Sequence, residues 1–244
     1  MKKHALQGPF LDVGCGQGDV SLWLAKRGWY GKAIDFSESA IEQATKRLTG
    51  HPEVVVACQT LDAESATFET VLAWDVLEHI AEEQAALNAL SQRTQPGGHL
   101  VLSVPSHPSE WRWDDDFYGH LRRYTPEDLT QKLAAAGFEI LTIWDSTFPI
   151  FWAMRRAYTW LKQPPTELGS PVDQTKASSG MSAWHLPVIG PLLNDSWVLW
   201  EPLSWIQFTL FRKMIHHGHE LFVVARKRTG CPTGSKCPSG TGLR

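Results

Sequence analysis

Cysteine is scarce. The four residues Cys15, Cys58, Cys231 and Cys237 are scattered over 244 positions, which excludes a disulfide-stapled scaffold and suits a reducing compartment. Long apolar runs are missing as well. None approaches the roughly 20 residues of a spanning helix, and Pro9 and Asp12 interrupt the start before any run suited to secretion. There is no excess of positive charge: 23 basic against 26 acidic side chains leave a net charge of −3, so nothing draws the chain as a whole to nucleic acid. No internal repeat is visible. What remains is 43% hydrophobic and 20% charged, the balance of a globular, cytoplasmic protein with a real core.

From Phe10 to about Ser146 short apolar runs alternate with longer helical ones, the signature of βα units around a parallel sheet. Strands are predicted at Phe10–Val13, Lys32–Asp35, Val54–Cys58, Thr70–Trp74, His99–Val104 and Phe138–Trp144. Helices are predicted at Asp19–Arg27, Ser37–Leu48, Glu82–Arg93 (closed by Pro96–Gly97–Gly98) and from Pro126 to Ala136. A last strand is expected at Glu220–Arg226. Residues 147–219 carry six of the twelve tryptophans and no βα rhythm, and read as an insertion. The expected organisation is one domain from 1–146 and 220–228, an aromatic-rich insertion at 147–219, and a disordered tail at 229–244.

The sharpest local signal is Asp12-Val13-Gly14-Cys15-Gly16-Gln17-Gly18, directly after a strand and before a helix. Glycines let the chain turn tightly and let a bound molecule approach the backbone without meeting a Cβ. The spacing is GxGxG, not the GxGxxG of dinucleotide sites, and leaves no obvious seat for a pyrophosphate. Asp35 ends the second strand, where a carboxylate can accept from both hydroxyls of a ribose. Phe36 could pack on a purine face. Asp62 follows the third strand and could accept from an exocyclic amine, and Trp74–Asp75 ends the fourth, where a carbonyl or carboxylate could meet an ammonium group. Each acid alone could equally be a helix cap or a solvated charge. Together they fall at the carboxyl ends of strands, where open α/β sheets bind ligands.

These segments resemble the class I S-adenosylmethionine (SAM)-dependent methyltransferases, through Leu11-Asp-Val-Gly-Cys-Gly-Gln-Gly18, Ala33-Ile-Asp-Phe36, Asp75-Val-Leu-Glu-His79 and Pro96-Gly-Gly98 before a strand. The resemblance covers residues 8–146 and the final strand, and looks most like the small-molecule group that includes enzymes of quinone biosynthesis. It implies an α/β, Rossmann-like, doubly wound sheet of seven strands with the last antiparallel, and SAM as cofactor. By the same resemblance Gly14, Cys15 and Gly16 would offer backbone contacts to the amino-acid part of SAM, and Asp35 would hold the ribose. Phe36 and Asp62 would hold the adenine, Trp74 the ammonium through its carbonyl, and Asp12 would orient the loop. Many relatives carry capping helices before the first strand. Here nine residues precede Phe10, so either another segment forms the cap or the start of the protein is missing.

Methyl transfer from a sulfonium relies on alignment in a dry cavity, and needs a base only where the acceptor must lose a proton. His107 and His120 are the candidate bases, Tyr124 a candidate orienting group, and Arg122 or Arg123 could bind a carboxylate or phosphate. The alternative is that Asp116, His120 and Arg123 tie a long loop together, and that His79 is structural. His216–His217–Gly218–His219 shows no recognised ligand spacing, and no metal is expected.

Within the insertion, 148–161 and 197–215 are too apolar for surface loops, though Arg155, Arg156, Arg212 and Lys213 interrupt them and Pro202 breaks the second. They could cap a greasy pocket, lie on a membrane as a peripheral contact, or form a helical subdomain or dimer contact. Gly169–Gly180 reads as a mobile link. The function expected is methyl transfer from SAM to a small, hydrophobic or lipid-like acceptor. A nucleic-acid acceptor is not expected, since no aromatic RNA-stacking motif occurs and Asp75–Val76–Leu77 stands where an asparagine-proline dyad would be. The alternatives are a nicotinamide-dependent oxidoreductase and a non-catalytic SAM-binding or membrane-associated scaffold. The accepting atom and the oligomeric state have no signal in the sequence.

Overall fold

The structure is a computed structural model and describes residues 8–162 and 197–229. The alternation resolves into seven strands: β1 (Phe10–Val13), β2 (Gly31–Asp35), β3 (Val54–Cys58), β4 (Phe68–Trp74), β5 (Thr94–Pro105), β6 (Phe138–Asp145) and β7 (Glu220–Lys227). They lie in the order β3-β2-β1-β4-β5-β7-β6. β1 to β5 pair in parallel, and β7 runs antiparallel to its neighbours β5 and β6. The chain winds outward from β1 to β3 and then returns to place β4 on the other side of β1. That reversal leaves a crevice at the carboxyl ends of β1 and β4.

The helices are α1 (Asp19–Ala25), α2 (Glu38–Arg47), α3 (Glu83–Arg93), α4 (Trp113–Tyr118), α5 (Pro126–Ala135), α6 (Ile150–Leu161) and α7 (Trp197–Phe211). Strand side chains alternate between two cores, as a period of two requires. Leu11, Val71, Leu100 and Val223 pack on one face with Leu87 of α3 and Leu129 of α5. Phe10, Leu72, Val101 and Val224 pack on the other with Leu24 of α1 and Ala44 of α2. Each large apolar side chain buried this way contributes roughly 1.5–3 kcal/mol. With both faces covered, the sheet is a rigid platform for the groups at its rim.

β1 and β3 keep their predicted bounds, and most other elements shift by a residue or two at their ends. β5 differs. Thr94 pairs with Phe68 and His99 with Thr70, so Pro96–Gly97–Gly98 forms an irregularity within the ladder instead of a break ahead of it, with Gly97 at φ 78°. The stretch read as a long loop after β5 contains α4. Asp114, Asp115 and Asp116 fall in its first turn, where negative charge favours helix, and the Arg112 N–H donates to Asp115 Oδ2 at 2.8 Å. α5 starts as predicted, with Pro126 in its first turn and the Thr125 hydroxyl accepting from the Asp128 N–H at 3.2 Å.

α6 and α7 lie between β6 and β7, and one side chain fastens them together. Gln207, 1% exposed, accepts from the N–H groups of Ile150 and Phe151 at 2.7 and 3.2 Å and donates to the Ser146 carbonyl at 2.9 Å. It therefore caps α6 from α7. Asp145 Oδ1 accepts from the N–H groups of Thr147 and Phe148, both at 2.7 Å, shaping the exit from β6. The link read at Gly169–Gly180, and residues 230–244 with Cys231 and Cys237, lie outside the described residues.

Candidate active site

The crevice opens into a cavity of about 950 Å³, toward the upper end of the roughly 300–1,000 Å³ usual for small-molecule sites. Its first wall is the rim of β1, β2 and β4. Gly14 and Gly16, at φ 67° and 51°, line it with bare backbone. A Cβ on Gly14 would stand 2.7 Å from Val76 Cγ2, so the turn needs glycine for space as well as conformation. Asp35 fastens this loop to β2: its Oδ2 accepts from the Gly16 N–H at 3.0 Å and its Oδ1 from the Ser37 N–H at 2.8 Å. Both oxygens keep acceptor capacity for hydroxyl donors. Phe36, 39% exposed, and Trp74 also line the cavity.

Three cofactor candidates lie off this wall. Asp12 and Cys15 are buried beneath the loop. Asp12 Oδ2 accepts from the Ser21 hydroxyl at 2.6 Å; burial, and after it the Asp35 charge, pushes its carboxyl up to about 7 despite that bond. Burial raises the Cys15 thiol in the same way. Asp62 is exposed on the short turn Leu61–Ala63, and Thr60 and Leu61 hold the wall where it was expected.

The facing wall comes from α4 and the segment after it, from α6, and from the start of β7. His120 lines the cavity, and its Nδ1 lies 2.8 Å from Asp115 Oδ1. Asp115 is fully buried. Burial alone would raise its carboxyl, but hydrogen bonds from His120 and Arg123 and the charges of Arg123 and Arg155 outweigh it and hold the group well below the usual carboxylate range. Arg123 is thus committed to Asp115 and to the Ser106 carbonyl, and Arg122 to the carbonyls of Ile80 and Ala81. The cluster predicted around Asp116 forms around Asp115; Asp116 accepts instead from the Trp111 indole at 3.2 Å.

His107 and Tyr124 do not reach this wall. His107, at φ 58°, turns its Nε2 to within 3.1 Å of the Ile215 carbonyl. Tyr124 is 0% exposed in the core and bridges to Ser106 through the backbone. His79 does line the cavity, with Nδ1 3.3 Å from the Gly119 carbonyl, and burial followed by the His120 charge lowers it to about 4.

Three carboxyls gather where the walls meet: Asp75, Glu78 and Glu220. Asp75 sits at φ 49° and accepts from the Ser103 hydroxyl at 2.8 Å. Glu78 is 0% exposed, and neither oxygen has a hydrogen-bond partner among the described residues. Burial first, and the Asp75 charge second, push both Glu78 and Glu220 up, Glu220 to about 8. Glu78, His79 and His120 bring one donor atom each within 4.8 Å of the others, a set chemically able to hold a cation that the histidine run at 216–219 did not suggest. Asp115, Glu78 and Glu220 were missed by the sequence reading; Arg155 was seen only as a charge interrupting an apolar stretch, which is itself the sign of a buried partner.

A doubly wound sheet with an antiparallel last strand, a glycine turn at its switch point and an acid ending β2 define the class I methyltransferase fold. The family model described as "Methyltransferase domain" matches residues 2–143, and the chain belongs to that family. A ubiquinone biosynthesis O-methyltransferase of Alkalilimnicola ehrlichii is 32% identical over 100 residues, 38% of this chain and 40% of that protein. The chain thus spans about two-fifths of the length of the curated relatives it matches. Among solved structures, the (4+2)-cyclase SpnF is similar at TM-score 0.58 and 21% identity, covering 93% of this chain and 77% of that one. A magnesium protoporphyrin IX methyltransferase of Synechocystis with bound SAH is similar at TM-score 0.53 and 16% identity, with 93% and 77% covered. At these identities the structural likeness speaks for the fold.

Proposed function

We propose that the chain transfers the methyl group of SAM to a hydroxyl of a small, hydrophobic or lipid-like acceptor, with His120 as the proton acceptor. The observation that carries this reading is the pair of walls: a glycine turn fastened to Asp35 on one side, and a histidine held by a buried carboxylate on the other. SAM, when bound, supplies an electrophilic methyl on a sulfonium. Asp35 accepts the ribose hydroxyls, Phe36 packs on the adenine with the Thr60–Leu61 wall, and the Trp74 carbonyl receives the ammonium. The backbone of Gly14 and Gly16 follows the amino-acid part, and Asp12 and Cys15 support the loop from below.

On the acceptor side, the ionised Asp115 can only accept, so His120 donates from Nδ1 and keeps Nε2 as a base. Such a base contributes about 10²–10⁴-fold when a hydroxyl proton must leave. The name of the O-methyltransferase relative supports oxygen as the accepting atom. His107 and Tyr124 shape the segment that carries His120. The lining cations Arg123 and Arg155 are committed to Asp114 and Asp115, which favours an acceptor without its own carboxylate or phosphate.

A lipid-like acceptor fits the outside of the insertion. Trp160 and Leu161 are 81% and 72% exposed, and Trp205 and Leu210 are each 67% exposed, beside Arg212 and Lys213. Among the described residues no helix is long and apolar enough to cross a membrane; the segments 148–161 and 197–215 suit a flat, peripheral contact. Isotope-labelled SAM incubated with the protein and a lipid and metabolite extract should yield a product heavier by one methyl. Calorimetry showing no SAM binding, or NAD binding in its place, would overturn the reading. Full recovery in the supernatant after sedimentation with anionic liposomes at low salt would remove its membrane part.

A further inference from the structure

α6 lowers two arginines onto the α4 segment, and they make different contacts. Arg155 grips Asp114 as a fork, Nε to Oδ2 at 2.8 Å and Nη2 to Oδ1 at 2.7 Å. The same Nη2 reaches Asp115 Oδ2 at 2.8 Å, and Nη1 reaches the Glu110 carbonyl at 3.0 Å. Arg156 pairs with the Glu110 side chain and has no bond to Asp115. The other oxygen of Asp115 accepts from His120 Nδ1 at 2.8 Å and from Arg123 at 2.7 and 2.9 Å. One buried carboxylate therefore joins a helix of the insertion to the histidine on the cavity wall. Phe151 and Tyr158 of the same helix line that cavity, so α6 covers the acceptor space while it holds Asp115.

We propose that Arg155 is a positioning residue for proton transfer: it seats α6 on Asp114 and Asp115, and so fixes the carboxylate that sets the tautomer and aim of His120. The inference rests on the reading of His120 as the proton acceptor. The proton of the acceptor hydroxyl would pass to Nε2 as its O–H bond breaks, while the oxygen would take the methyl and the methyl–sulfur bond would break, its electron pair staying on sulfur as a neutral thioether. Nε2 can receive it only while the ring's own hydrogen is on Nδ1. Without Arg155, Asp115 Oδ2 keeps the Arg112 N–H at 2.8 Å and loses its guanidinium, and the carboxylate is free to turn toward Arg123. The ring then relaxes toward the Nε2–H form that free histidine favours, and that form is no base at this position. Covering the acceptor and arming the base are one event, because the same helix does both.

The test uses the full chain labelled with ¹⁵N-histidine and long-range ¹H–¹⁵N spectra, with His120→Gln to assign the ring. The wild-type ring is expected as the Nδ1–H tautomer. Arg155→Met should shift it to a mixture or to Nε2–H, as should Asp115→Asn, and Arg155→Lys should restore it in part. Arg156→Met loosens the same helix without touching Asp115 and should leave the signature unchanged. SAM affinity, measured by calorimetry on each variant, should not move and reports an intact fold. A wild-type spectrum in Arg155→Met overturns the proposal, and so does an equal change in Arg155→Met and Arg156→Met. If the tautomer responds as expected while His120→Gln still transfers methyl at the wild-type rate, the linkage stands and the assignment of the base fails.

Discussion

The two walls of the cavity are built in different ways. The wall proposed for the methyl donor is mostly backbone: a glycine turn and the ends of neighbouring strands, resting on a sheet buried on both faces. The facing wall, proposed to meet the acceptor, is mostly charged side chains from separate segments, with Arg155 reaching forty residues back to Asp115. Their buried aspartates show the contrast. Asp12, beneath the glycine turn, meets one hydroxyl and another acid and is pushed up; Asp115 meets two arginines and a histidine and is pushed down. Burial raises both, so the neighbours decide the sign. A wall of backbone depends on few side chains, whereas a wall of ion pairs stands or falls together, since breaking a buried pair strands the partner charge at a cost of about 3–5 kcal/mol.

The largest expected effect separates the walls by function. His120→Gln should lower kcat about 10²–10⁴-fold with SAM affinity unchanged, measured by labelled-methyl transfer and calorimetry; a loss of SAM affinity instead would mean that the two walls do not divide the work. Next, Asp35→Ala should weaken SAM binding tenfold or more, about 1.4 kcal/mol, while the His120 tautomer persists. Unchanged affinity there would remove Asp35 from the donor site.

The smallest effect is on stability. Asp12 titrates near 3.8 when unfolded and about 7 in the fold, so its contribution is present below pH 4 and is lost as pH rises through 7. Asp115, held below its ordinary value, contributes stability above about pH 4 that is lost on acidification. Thermal melts from pH 3 to 8 should therefore lose the neutral-side slope in Asp12→Asn and the acid-side slope in Asp115→Asn. Identical pH profiles for parent and variants would break the comparison.

The same contrast governs what could be read from the sequence. Apolar runs of strand length between helix-length stretches gave the order of the seven strands and of the helices between them other than α4, and only glycine explains three positive-φ positions within Gly14–Gly18. The place of Asp35 on the cavity rim was legible because a strand end fixes it. Asp62 was not, because a short turn intervenes and brings Thr60 and Leu61 to the wall. Three aspartates in a row at 114–116 look alike, and only the phase of α4, unrecognised as a helix, selects Asp115 as the hub. Tyr124 had the chemistry of a site residue and went to the core through its bridge to Ser106. Glu220 passed as the start of a strand. With β7 reversed, that start lies at the rim where the parallel strands end.

That reversal has a further consequence. Asp145 and Leu221 are paired neighbours on β6 and β7, so the excursion between them departs and returns through one narrow port. Beyond the contacts that tie it back to the sheet, Phe208 on Trp144 and the Arg212 carbonyl on the Asp145 N–H, its length can change while both strands keep register. On the proposed reading, swapping that excursion between relatives should change the acceptor while the glycine turn and Asp35 stay in place.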